Sequence, residues 1–153
     1  VWFIRTDKGE NMNKEIAKIW TAALRSGEYG QATGVLVEIN PADGEKVGYC
    51  CLGVLCDLAV KAGVPISVDG PTLCEADDPD DEEYWNGVEY DSSDALLPDS
   101  VMKWAGLRSD DGKLFGSGDG FYGNENDTLA ARNDGGASFA EIAELIDTNV
   151  DAL

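Results

Sequence analysis

The chain has 153 residues, the size of one ordinary domain, and 43% of them are hydrophobic, so a core can form without a disulfide or a metal to hold it. Acids number 30 against 11 bases, with no histidine, and the net charge is −19. A field of that sign repels DNA, RNA and anionic membranes, which argues against direct binding to any of them.

In chain order, the first residues look foreign to a fold. Lys8-Gly9-Glu10 back-translates as AAG-GGA-GAA, which contains the ribosome-binding signal GGAG shortly before Met12. The expectation is that Met12 is the native start of a bacterial or phage gene. Residues 1–12 are then a non-native or disordered extension, and residues 13–153 form a single domain. The start has no long apolar run before a small-residue cleavage site, and no stretch approaches the length of a membrane span. A cytoplasmic protein with reduced thiols is therefore expected.

Asn13 suits a helix N-cap and Glu15 the positive first turn. Ile16, Ile19, Trp20, Ala23 and Leu24 then form one apolar stripe at helical spacing, stopped by Ser26-Gly27. Residues 34–39 and 47–50 are rich in β-branched side chains and flank the turn-forming Asn40-Pro41-Ala42-Asp43-Gly44, which predicts a β-hairpin. A helix over 52–62 follows, with Val54, Leu55, Leu58, Ala59 and Ala62 inward and Gly63 ending it. Residues 66–68 and 72–75 are weaker strand candidates. Residues 75–83 hold seven acids in nine positions and must form an exposed loop. Residues 84–90 read as a small hairpin or strand pair with a tight turn.

Pro98 suits the first position of a short helix ended by Gly106, with Val101, Met102, Trp104 and Ala105 toward the core. Residues 110–123 are a glycine-rich loop, and 128–132 a helical turn or short strand. Ser138 and Glu141 have capping-box spacing and open a last helix to about Asp147, with Phe139, Ile142, Ala143, Leu145 and Ile146 inward. The fold class is α+β: about four short helices packed on a small antiparallel sheet.

Four phrases occur together in order. They are Ala23-Leu24-Arg25-Ser26-Gly27-Glu28-Tyr29-Gly30-Gln31; Tyr49-Cys50-Cys51-Leu52-Gly53-Val54-Leu55-Cys56-Asp57-Leu58; Leu96-Leu97-Pro98 with Trp104-Ala105-Gly106-Leu107; and Asn133-Asp134 with Ser138-Phe139-Ala140-Glu141-Ile142-Ala143. In this order the chain, from Asn13 to Asp147, resembles short proteins of tailed phages and prophages that have no assigned activity. The YCCLGVLCDL-type phrase is the most specific part. The resemblance implies a phage or prophage origin and carries over no site residue. The acidic stretch 77–83 looks like an added loop, and Val37 stands where the pattern has a basic residue.

Cys50, Cys51, Cys56 and Cys74 match the number of ligands a structural zinc needs, but not the C-x2-C spacing it favours. They read instead as small buried apolar residues. A nucleophilic cysteine would lack a histidine base. Asp77, Asp78, Asp80, Asp81, Glu82 and Glu83 have the hard oxygens calcium takes, without an EF-hand pattern, and read as a solvated loop. The glycine-rich loop lacks the Gly-Lys-Ser/Thr ending of a phosphate cradle. The last helix is acidic, and DNA binding through it is not expected. Tyr84, Trp85 and Tyr90 lie among the acids, either as an interface or as a lid on the core.

The expected function is a non-enzymatic accessory protein without a cofactor. It binds a basic surface of a host or phage protein through Asp77, Asp78, Asp80, Asp81, Glu82, Glu83, Tyr84 and Trp85, with nucleic-acid mimicry as one form. From residue 69 to 111, fourteen acids stand against Lys103 and Arg108. The alternative is a small metal-assisted enzyme or ligand-binding protein with its site near the 110–123 loop.

Overall fold

The computed structural model describes residues 12–114 and 127–153. Their elements in order are α1 (Lys14–Arg25), β1 (Val37–Ile39), β2 (Lys46–Tyr49), α2 (Cys51–Lys61), β3 (Val68–Asp69), β4 (Thr72–Cys74), β5 (Tyr84–Asn86), β6 (Glu89–Tyr90), α3 (Asp99–Ala105), α4 (Leu129–Asp134) and α5 (Phe139–Thr148), with a final 3-10 turn. The class is α+β, with five helices and three two-stranded antiparallel sheets, rather than one sheet, among the described residues. No described helix is long and apolar enough to cross a membrane. Residues 1–11 lie outside the described part; Met12 is buried against the core.

α1 starts where expected. The Asn13 Oδ1 accepts from the backbone N–H groups of Glu15 and Ile16 at 2.9 and 3.2 Å, satisfying two of the donors a helix start leaves free. Its buried face is turned from the expected one. Ile16, Ala17, Trp20, Thr21 and Leu24 point inward, and Ile19 is 47% exposed. α1 meets both α5 and α2, so its buried arc is centred between the two partners, and hydrophobicity alone did not locate that centre. Arg25 ties α1 to α5 by ion pairs to Asp147 (2.7 Å) and Glu144 (3.5 Å).

α2 is the centre of the core and touches α1, α3, α4 and β2. Cys51, Leu52, Val54, Leu55, Cys56 and Ala59 are fully buried. Being covered on several sides, the helix buries residues all round its first two turns, while Leu58 is half-buried and Ala62 exposed, against the expected single inner face. Gly53 makes this approach possible: a Cβ there would lie 1.8 Å from the Leu36 carbonyl oxygen.

β1 and β2 form the expected hairpin, Val37 facing Tyr49 and Glu38 facing Gly48. Residues 84–90 do not pair with each other. β5 pairs with β4 and β6 with β3. All five pairs keep one register, so residues 68–90 form a single hairpin arm, interrupted at Gly70-Pro71 where proline has no N–H to donate. Pro98 is the N-cap of α3, one position before its first helical residue, and Gly106 ends it in the left-handed conformation, φ 77°. In α3, Val101 and Ala105 are fully buried and Met102 and Trp104 half-buried. Residues 129–134 are helical, with Thr128 as N-cap. Both bonds of the Ser138–Glu141 capping box are formed. In α5, Phe139, Ile142, Ala143 and Ile146 are buried and Leu145 half-buried.

Candidate functional site

The arm built by β3 to β6 carries the expected site residues. Its base is anchored. The side chains of Val88 and Tyr90 enter the core, 1% and 2% exposed. The Asp91 carboxylate accepts from the Ser67 N–H at 2.8 Å and from the Ser100 hydroxyl. The Ser100 hydrogen bond, and then the Ser67 one, hold the Asp91 carboxyl below the usual carboxylate range. A second anchor lies nearer the tip. The Trp85 N–H donates to the Pro41 carbonyl at 3.0 Å, and its ring packs on Gly44, where a Cβ would come within 2.5 Å of it.

Beyond Trp85 the arm is free. Asp78 and Pro79 open a turn in which Asp78 accepts from the N–H groups of Asp80 and Asp81. Glu75, Asp77, Asp78, Asp80, Asp81, Glu82 and Glu83 are all exposed, and none forms an ion pair with a described residue. Tyr84 is 53% exposed beside them. Asp69 and Glu89 face each other across the arm and, with Asp94, line a hollow of about 300 Å³ that extends the acidic surface toward the base. Like charges directly opposed across a sheet are destabilising. The eight residues from Asp77 to Trp85 named from sequence are thus brought together, except that Trp85 is half-buried as an anchor. Tyr90 belongs to the core and offers no contact surface.

The cysteines are all free thiols. Cys50 caps α2, its Sγ accepting from the Gly53 N–H at 3.4 Å, and the Cys51 thiol donates to the Leu129 carbonyl at 3.6 Å. Burial pushes the Cys50, Cys51 and Cys56 thiols up, the last two strongly. Thiols so placed are poor nucleophiles and poor metal ligands. Cys74 lies apart on the arm, on β4. Among the described residues, no cluster of three or more cysteines and acids is placed to hold a metal ion.

Two clusters were not foreseen. On the outer face of α2 the Tyr29 phenol donates to the Asp57 carboxylate, and Lys61 Nζ lies 3.1 Å from the phenol oxygen and 3.0 Å from Asp57 Oδ2. The Tyr49 ring meets Tyr29 edge-on at 5.1 Å, and the Lys61 ammonium sits 5.4 Å above the Tyr29 ring. Burial, then the bond to Asp57, raises the Tyr29 phenol, and burial raises Tyr49. A phenol raised in this way stays protonated at neutral pH, as a hydrogen-bond donor and not a base. The cluster clamps the segment after α1 onto α2.

The second is the fully buried Asn133. Its Oδ1 accepts from the Cys51 N–H (3.2 Å) and Gln31 Nε2 (3.1 Å), and its Nδ2 donates to the Ala32 carbonyl at 2.7 Å. Asp134 beside it accepts from the Gly34 N–H at 2.8 Å. Residues from three of the four sequence phrases, Gln31, Cys51 and Asn133, therefore meet at the start of α2. Nothing in the spacing of Gln31, Cys51 and Asn133 signals this, because the contacts span about a hundred positions.

Of the alternative site, residues 115–123 lie outside the described part. Residues 110–114 pack onto α4, with Gly112 against Leu129 and Leu114 fully buried.

The chain matches the family described as domain of unknown function DUF8296 over residues 12–150, and it belongs to that family. No curated protein and no solved structure matches it.

Proposed function

We propose that this chain is a non-enzymatic accessory protein of a phage or prophage. It acts in the cytoplasm of a bacterial host and binds a basic surface of a host or phage protein through its acidic arm. One observation supports this above the others: seven carboxylates crowd the free end of an anchored hairpin, with no described cation neutralising them. Holding like charges together costs stability and serves no packing purpose there. A basic partner removes that cost and is steered in by the field. Where the partner's basic groove normally holds nucleic acid, the carboxylates stand in for phosphates.

The test replaces Asp77, Asp78, Asp80, Asp81, Glu82 and Glu83 by their amides. Wild-type protein, tagged at its C-terminus and recovered from a bacterial host at low salt, should carry a protein partner visible as a mass increment in native mass spectrometry. High salt should release the partner, since exposed charges are screened within about 10 Å at 0.1 M. The amide variant should not capture it. Capture unchanged in that variant would overturn the reading.

A further inference from the structure

We propose that the arm takes its partner as an added β-strand: an extended segment bearing lysine or arginine, laid along the outer edge of β4. This rests on the acidic-arm reading and narrows it from a basic surface to a basic strand.

The two edges of the arm differ. In an antiparallel pair, directly opposed residues either exchange both main-chain bonds or turn all four groups outward. The Trp85 N–H is given to Pro41, away from β4. Its partner Leu73 therefore also turns its N–H and carbonyl away, onto the opposite edge. No described group bonds to Leu73 there, and its side chain is 40% exposed. The β5 edge is thus closed by the turn at Pro41, while the β4 edge is open.

An open edge is a template for another strand, with main-chain bonds supplying affinity and flanking side chains supplying choice. Here the choice is made by charge. Glu75, Asp77 and Asp78 follow β4 directly, and Asp69 precedes it. A second copy of this chain, at −19, is repelled from such an edge. A strand carrying lysine or arginine is drawn to it.

Two capped peptides of equal length and equal lysine content test this, one alternating lysine with valine and one alternating lysine with proline. The second has the charge and lacks half of the main-chain donors and the strand habit. The full chain should bind the lysine–valine peptide at least about tenfold more tightly, the effect of one to two added main-chain hydrogen bonds. Binding should protect the Leu73 amide from hydrogen exchange. Leu73→Pro, which removes that donor, should bring the two affinities together. Should Leu73→Pro fail to fold, the exchange of the Leu73 amide in the wild-type complex decides. Equal affinity for both peptides, with Leu73 unprotected and binding lost in the six-amide variant, would overturn strand addition and leave the acidic-arm reading standing. Failure of both peptides to bind at low salt would sink both.

Discussion

The helices around α2 and the hairpin arm are held by opposite means. Around α2, side chains do the holding: Trp20, Leu52, Leu55, Ile142 and Ile146 are fully buried, and the buried polar Asn133 has partners for both ends of its amide. In the arm, main-chain ladders and a few anchors at Asp91, Val88, Tyr90 and Trp85 hold a segment whose exposed end repels itself. Stability is thereby concentrated in one region and charge in the other. If the acidic arm binds a partner as proposed, substitutions that unfold the protein and those that alter binding should fall on different residues.

The sharpest test of that division is Trp20→Ala. It empties a fully buried site and removes the indole donor to the Cys51 carbonyl, and a loss of about 3–5 kcal/mol in urea unfolding is expected. Gly53→Ala adds a single methyl group, but against the Leu36 main chain, which cannot swing away as a side chain can. A loss of about 1–3 kcal/mol is expected in the same measurement.

A third effect appears in alkali. Tyr29, Tyr49 and Tyr90 all have phenols raised by burial, and Lys61 is raised by its bonds to Tyr29 and Asp57. A group raised in the folded state contributes stability that is complete below its unfolded value, about 10 for both types. That contribution is lost as pH rises through the folded value. The urea midpoint should therefore fall on the alkaline side of pH 10. Three of the five tyrosines should form phenolate, followed by ultraviolet absorbance, only above the usual range.

Thiol labelling separates the regions without unfolding either. Iodoacetamide at neutral pH should modify Cys74 on the arm, while Cys50, Cys51 and Cys56 stay unlabelled until denaturant is added. The smallest expected change in stability comes from the largest change in charge. Converting the six acids from Asp77 to Glu83 to amides should move the unfolding free energy by no more than about 0.5 kcal/mol, and upward, because exposed carboxylates outside any described ion pair lose repulsion, while an amide oxygen at position 78 can still accept from the Asp80 N–H. A marked loss would show that the acidic tip helps to hold the fold, and the division between the two regions would fail.

Local signals were legible because their causes are local. The caps at Asn13 and Ser138, the glycine stop at Gly106 and the turn between β1 and β2 each depend on a few adjacent residues. The acidic tip was legible for a related reason: no arrangement of the chain can bury seven acids in nine positions, so they had to face water. The inward face of α1 was not legible, because Ile19 and Ala17 differ in which neighbours lie beside them, and those neighbours come from α2 and α5.

The sequence by itself determined the charge, the α+β class, most element starts and stops, and the exposure of the acids from Asp77 to Glu83. Only the tertiary structure decided that residues 84–90 pair with 68–74, that Tyr90 is core while Tyr84 is surface, that Asn133 closes the start of α2, and that the β4 edge stays open. Each of these depends on groups far apart in the chain that meet only on folding, as the Trp85 main-chain N–H and the Pro41 carbonyl do.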